Sequence, residues 1–474
     1  MTDLCALPAT EQARLVRARA ISPVDLVEAS LARIEQVNPV LNAFAFVFAN
    51  EARARARDAE ASVMRGDSLG PLHGLPVAFK DFTPTSGQRT TLGSRCFEDW
   101  VPDRDPVIVQ RFKAAGAIII GKTTTPEFAH SGFTISPLWG ATGNPWDPAR
   151  SAGGSSGGSG VAATTGCVAL AEGTDMGGSV RIPAALCGCV GLKPSLGRIP
   201  MDILPTVFDD MSHFGPLART IDDAVLFMKV AEGPDDADIQ SQIAPRSLPE
   251  RFDIDLGGLR LAFSPDLGVC NVDPEVGANL RVAVAALEQA GAVVEEANLT
   301  VGPEMLRAWN DWWGVYLAAG FGHLLPEQRD RLDPYVVRLM EAGLALDAVA
   351  FKRIETTRTE LWRRLAAVFV RHDALLCPTM ARPAPLNSER GRDFWRPDAQ
   401  GRMEGLDMTE FFNMTGQCPA LSVPSGMTAA GLPTAIQIVG RRFDDPTVLR
   451  IGAAIEELRP WRQWIVADLG SADG

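Results

Sequence analysis

Two short stretches of this chain concentrate hydroxyls and backbone freedom. Ser151-Ala-Gly-Gly-Ser-Ser-Gly-Gly-Ser-Gly160 sets serines among glycines. Gly173-Thr-Asp-Met-Gly-Gly-Ser-Val-Arg-Ile-Pro183 places Gly177-Gly178 directly before Ser179, which then enters an apolar run. A serine hydroxyl is a weak nucleophile until a base takes its proton. Successive N–H groups in a glycine turn can converge on one anion, as an oxyanion hole requires. Together the loops suggest acyl transfer through a serine. Blander readings stay open for each alone: a flexible linker for the first, a tight turn with a solvated serine for the second. The flank weighs against a linker, because Val161 to Ala171 is small and apolar enough to be a tightly packed core helix.

Such a serine needs a base. The histidines are His73, His130, His213, His323 and His372, and none sits in a triad-like context. The lysines are Lys80, Lys113, Lys122, Lys193, Lys229 and Lys352; all other basic side chains are arginines. Lysine can give up its proton in a protein, whereas arginine cannot. Lys80 ends the apolar run Leu75-Pro-Val-Ala-Phe79 and precedes Asp81. A strand ending inside the fold would carry its amine out of water and lower its pKa. The competing reading is a simple Lys80–Asp81 ion pair.

The elements that must hold these groups read as follows. Ser22-Pro-Val-Asp25 opens a helix that continues to Asn38-Pro39, and Ala52 to Val63 is a second helix. From about Gly74 to Pro200, short apolar runs alternate with Gly, Ser and Thr clusters, which reads as strands with intervening helices. Thr220 caps a helix after a strand. Residues 275–292 and 303–372 are mainly helical, 374–377 is a strand, and 386–407 is polar and loop-like. The chain closes with strands at 421–423 and 435–439 and a helix at 446–458. The expected fold is α/β: one large domain with a central mixed β-sheet flanked by helices on both faces.

Three segments taken together strongly resemble the amidase signature family: Gly74-Leu-Pro-Val-Ala-Phe-Lys80-Asp, Gly153-Gly-Ser155-Ser156-Gly-Gly-Ser, and the stretch from Gly173 to Pro183. Supporting motifs are Gly121-Lys-Thr-Thr-Thr-Pro-Glu-Phe128, Gly143-Asn-Pro-Trp-Asp147, Gly188-Cys-Val-Gly-Leu-Lys-Pro194, Gly215-Pro-Leu-Ala-Arg-Thr220 and Asn413-Met-Thr-Gly-Gln-Cys-Pro-Ala-Leu-Ser-Val-Pro424. The resemblance runs in order from about 20 to 460. Ala152 departs from the proline that many members carry. The resemblance implies Ser179 as nucleophile, Ser155 as bridging serine after a cis Gly154–Ser155 peptide, and Lys80 as base. It implies an oxyanion hole of N–H groups at Met176, Gly177, Gly178 and Ser179. Ser156, Thr174, Asp175 and Arg181 match the supporting shell, with Asp175 and Arg181 read as structural. Lys122 and Lys193 fall in family-like motifs and are read as structural too. Within residues 1–474, 60–225 would form the catalytic core, 230–410 the divergent substrate-pocket region and 411–460 a C-terminal return to the core sheet. The implied reaction is hydrolysis of a small hydrophobic or aryl carboxamide to carboxylate plus ammonia or amine. Phe128, Phe133, Trp309 and Trp313 are the candidate substrate contacts.

Two rival readings carry their own chemistry. Gly116-Ala-Ile-Ile-Ile-Gly-Lys-Thr123 satisfies the phosphate-loop pattern letter for letter, but Ile118-Ile-Ile120 is β-branched and reads as a strand. The glutaminase subunit of a tRNA-dependent amidotransferase shares the amidase signature motifs and would need partner subunits. The chain has 474 residues and a net charge of −13, which argues against nucleic-acid or anionic-membrane partners. No His-Glu-x-x-His or paired Cys-x-x-Cys motif occurs, so neither metal nor cofactor is expected. The expected partner is a small-molecule amide, with a homodimer left open. Eight cysteines, mostly in apolar runs, fit reduced thiols and a cytoplasmic setting. No signal peptide or membrane span is visible.

Overall fold

The computed structural model describes residues 3–399 and 401–461. Its core is one 11-stranded mixed sheet. Strands Phe44–Val47, Ile118–Thr123, Pro76–Lys80, Leu170–Asp175, His213–Ala218 and Val190–Lys193 form one half in that spatial order. Ala420–Met427, Pro433–Gly440, Ala374–Pro378, Arg260–Phe263 and Val293–Glu296 continue it. Helices cover both faces. In Pro76–Lys80, Val77 and Phe79 join a cluster with the helices Ala9–Arg17, Val107–Ala114 and Ile221–Ala231, while Ala78 joins another with Pro23–Leu41, Ala49–Arg65 and Gly157–Thr164. This is the two-residue period of a strand buried on both sides. The far half of the sheet alternates likewise. Leu376 faces the first cluster, and Leu375 and Cys377 face a third, which includes the helices Pro303–Phe321 and Ala348–Phe369. The α/β expectation holds. No helix among the described residues is long and apolar enough to cross a membrane.

Strand direction positions the site. Pro76–Lys80 runs parallel to both neighbours, pairing Ala78 with Ala171 on one side and Lys80 with Thr123 on the other. Lys80 and the pair Thr174-Asp175 therefore emerge at the carboxyl ends of adjacent parallel strands, where open α/β sheets place their ligands.

Two local expectations are corrected, and the strand reading of 118–120 holds. Residues 161–171 are not one helix: Gly157–Thr164 is helical, Gly166 turns the chain at φ +74, and Leu170–Asp175 is a strand. A glycine in the left-handed region is the usual helix stop, and it lies inside a run that looks uniformly apolar. The first long helix continues through Pro39 to Leu41 and ends at Asn42, φ +50. The proline sits in the last turn, where little helix follows to be broken. Residues 116–123 are no phosphate loop, since Ile118–Thr123 is a buried strand. Lys122 Nζ is tied to the Thr83 carbonyl and, at 2.5 Å, to Thr85 Oγ1.

The Gly/Ser segment is no linker either, because every residue from Ser151 to Gly160 is buried. Packing against backbone explains its glycines. A Cβ on Gly158 would stand 2.4 Å from the Ala43 carbonyl oxygen and 2.5 Å from the Thr124 nitrogen. Gly158→Ala is expected to cost about 1–3 kcal/mol through overpacking, read as a lowered midpoint in thermal unfolding. An unchanged midpoint would show that this helix can move away from the sheet.

Candidate active site

Lys80 is fully buried. Its Nζ lies 2.7 Å from Ser155 Oγ and 2.8 Å from Thr174 Oγ1. Burial pulls its pKa down to about 7, against the opposing pull of Glu172 and Asp175. Asp81 is not its partner. That carboxylate accepts from the Thr91 N–H at 2.8 Å, from the Thr91 hydroxyl and from the Trp139 indole. Alternation along the chain sends the two neighbours to opposite sides. Glu172, which the sequence did not single out, accepts from the Lys80 N–H at 2.9 Å and from Thr83 Oγ1 at 2.9 Å, holding the backbone that presents the amine.

Ser155 follows a cis Gly154–Ser155 peptide, as the resemblance implies. The loop is wedged in place. A Cβ on Gly154 would lie 2.3 Å from the Ser131 carbonyl oxygen, and Thr134 Oγ1 donates to Gly153 O at 2.8 Å. The neighbouring Ser156 joins the two serine loops: its N–H donates to Ser179 O at 3.1 Å and its hydroxyl to Thr174 O at 3.3 Å. Ser155 and Ser179 line one narrow cavity, together with Thr174, Asp175 and Met176.

Asp175 and Arg181 form a fully buried ion pair at 2.9 Å. The guanidinium holds the Asp175 carboxyl well below the usual range against the upward push of burial. Asp175 also accepts from the N–H groups of Gly178 at 2.8 Å and Val180 at 3.1 Å, and from Asn413 Nδ2 at 2.9 Å. Arg181 reaches Gln437 Oε1 at 2.6 Å and the Thr409 carbonyl at 2.9 Å. The pair therefore holds the 176–181 turn. The oxyanion expectation narrows at one position. The Gly178 N–H is already committed to Asp175, whereas those of Met176, Gly177 and Ser179 meet no acceptor among the described residues.

The remaining candidates separate. Phe128 and Trp313 line the cavity, with Phe82, Ala129, Met201, Ile203, Leu204, Ser212 and Tyr316. Phe133 lies instead in a separate apolar cluster with Ile182, Leu186 and Phe394. Trp309 lies behind the turn: a Cβ on Gly177 would meet its Cζ2 at 2.4 Å, and its indole N–H points at Met176 O, 3.4 Å away. It stacks on Trp313 at 6.0 Å, so one helical face both packs and lines the site. Met201, Ile203 and Leu204 carried no legible signal, lying in a loop without periodicity. Lys193 donates to the carbonyls of Pro194, Gly416 and Cys418, and His213 is bonded to the Met211 and Gly416 carbonyls. Both are internal braces.

A lysine kept dry at the carboxyl end of an interior strand thus lies beside one serine, and a second serine on a glycine turn lines the same cavity. The family model described as Amidase matches residues 25–449, and the chain belongs to the amidase (amidase signature) family. It is 38% identical over 466 residues to an acylamidase of Rhodococcus erythropolis, covering 98% of this chain and 97% of that one. It is 35% identical to a glutamyl-tRNA(Gln) amidotransferase subunit from a Roseiflexus species, covering 93% and 94%. A crystal structure of a bacterial aryl acylamidase of the amidase signature family superposes with a TM-score of 0.90 at 30% identity, covering 98% and 99%. The protein is accordingly an amidohydrolase acting on amide C–N bonds.

Arg181→Met would leave the Asp175 carboxylate buried and unpaired. Breaking a buried pair from one side costs about 3–5 kcal/mol, so denaturant unfolding should show a loss of that size. A loss below about 1 kcal/mol would mean the carboxylate has another source of compensation.

Proposed function

We propose that Ser179 is the nucleophile, Ser155 the proton bridge and Lys80 the base of this hydrolysis. The observation that carries the reading is the buried Lys80 amine, 2.7 Å from Ser155 Oγ and with its pKa lowered to about 7. Ser179 Oγ attacks the amide carbonyl carbon while its proton passes to Ser155, whose own proton passes to neutral Lys80. The carbonyl oxygen becomes an oxyanion facing the N–H groups of Met176, Gly177 and Ser179. The C–N bond then breaks, and the proton returns through Ser155 to the leaving amine or ammonia. Water, deprotonated by the same relay, attacks the acyl-enzyme, releases the carboxylate and restores Ser179.

The substrate class follows from the cavity walls. Phe82, Phe128, Met176, Ile203, Leu204, Trp313 and Tyr316 supply apolar and aromatic surface, and among the described residues neither Lys nor Arg lines it. Asp175, the one carboxylate there, is already held by Arg181. Glutamine would bring an α-carboxylate and an ammonium into a space that compensates neither. This favours a small hydrophobic or aryl amide over the glutaminase role. We also place the enzyme in the cytoplasm, because all eight thiols are free and seven are buried.

A base that must be neutral makes kcat/KM rise with pH through about 7 to an alkaline plateau; a flat profile between pH 6 and 9 would remove this role. Lys80→Arg should fall at least about a hundredfold, because a guanidinium accepts no proton. Ser179→Ala should neither turn over nor be labelled by a serine-directed fluorophosphonate; labelling that persists moves the nucleophile elsewhere. The isolated chain should hydrolyse an aryl amide with kcat/KM at least about a hundredfold above that for glutamine. The reverse order would favour the glutaminase role.

A further inference from the structure

The Gly177–Gly178 peptide unit is held at both ends. Its carbonyl accepts from Thr409 Oγ1 at 2.6 Å and its N–H donates to Asp175 Oδ1 at 2.8 Å. Thr409 is itself anchored, its carbonyl accepting from Arg181 Nη1 at 2.9 Å and its N–H donating to Glu410 Oε2 at 3.1 Å. Arg181 returns to Asp175, so the contacts close a ring around one peptide. The fit is tight: a Cβ on Gly178, whose φ is +119, would lie 1.9 Å from Thr409 Oγ1. Asp407 Oδ2 is the other acceptor within reach of that hydroxyl, at 3.3 Å. A hydroxyl has one proton, and the shorter contact takes it.

We propose that Thr409 is a positioning residue for the reaction: with Asp175 it clamps the Gly177–Gly178 peptide and so aims the flanking N–H groups of Gly177 and Ser179 at the oxyanion. Two glycines in sequence have no Cβ to restrict rotation of the peptide between them. A peptide is planar, so fixing its oxygen and its hydrogen fixes the whole unit. Asp175 repels the flipped form, which would turn the carbonyl oxygen toward its carboxylate. Thr409 attracts the observed form by donating to that oxygen. Neither N–H acts until the carbonyl carbon becomes tetrahedral, so the clamp is felt in the transition state and not in substrate binding.

This inference rests on the assignment of Ser179 as nucleophile. Thr409→Val keeps the shape and removes the donor. It should lower kcat about 10- to 100-fold with KM within about twofold, less than outright loss of an oxyanion donor. An aryl boronic acid, which forms a tetrahedral adduct on serine, should bind Thr409→Val more weakly by a similar factor. Thr409→Ser, which retains the hydroxyl, should return kcat to within about threefold of wild type. If the valine variant does not fold, Thr409→Ala replaces it in the comparison with serine. Wild-type kcat in the valine or alanine variant overturns the clamp, as does a serine variant as impaired as they are. Turnover by Ser179→Ala would overturn the nucleophile and the clamp together. An inactive Ser179→Ala beside a fully active Thr409→Val would overturn the clamp alone.

Discussion

Keeping one amine out of water is the constraint on which the structure depends. Lys80 stands at the carboxyl end of a strand buried on both faces, and its surroundings offer hydroxyls where an ordinary buried lysine would be given a carboxylate. Desolvation lowers its proton affinity, and the charges of Glu172 and Asp175 raise it. Either influence alone would spoil the base proposed at Lys80. A fully compensated lysine stays protonated at neutral pH, and an uncompensated one binds protons too weakly to draw one from a serine. Glu172 takes part in a second way, through its bonds to the Lys80 N–H and Thr83.

The second constraint is the buried Asp175–Arg181 pair. Removing two charges from water is costly, and such pairs are tolerated where further hydrogen bonds satisfy both groups. Here those bonds come from far along the chain: Asn413, Gln437 and the Thr409 carbonyl. The strands Ala420–Met427 and Pro433–Gly440 lie in the middle of the sheet, and Gln437 on the second of them reaches Arg181, so the C-terminal return helps to hold the Ser179 turn.

A third feature is the face of Pro303–Phe321 turned toward the cavity. Trp309 buttresses the glycine turn from behind, while Trp313 and Tyr316 face the cavity. The same stacked aromatics are packing and cavity wall, so the helix that lines the cavity also touches the turn that carries Ser179. Among the described residues, all the other cavity residues come from 82–212, the part of the chain that begins just after Lys80 and carries Ser155 and Ser179.

The sequence by itself determined the chemistry. Each of the segments carrying Lys80, Ser155 and Ser179 has a bland reading alone, and it is their order together that resembles a known family; Ser156 and Thr174 stand out only through that resemblance. It also determined most elements, since strand and helix periods are local properties of burial. It misled where a local pattern was ambiguous. The run 161–171 is small and mostly apolar and conceals the turn at Gly166. Only the tertiary structure decided which neighbours the charges meet: that Lys80 faces hydroxyls and not Asp81, that the Gly178 N–H belongs to Asp175, and that Thr409 reaches Gly177. Those partners lie up to 232 positions apart, and contacts across such distances leave no periodicity to read, because they depend on how the sheet brings its strands together.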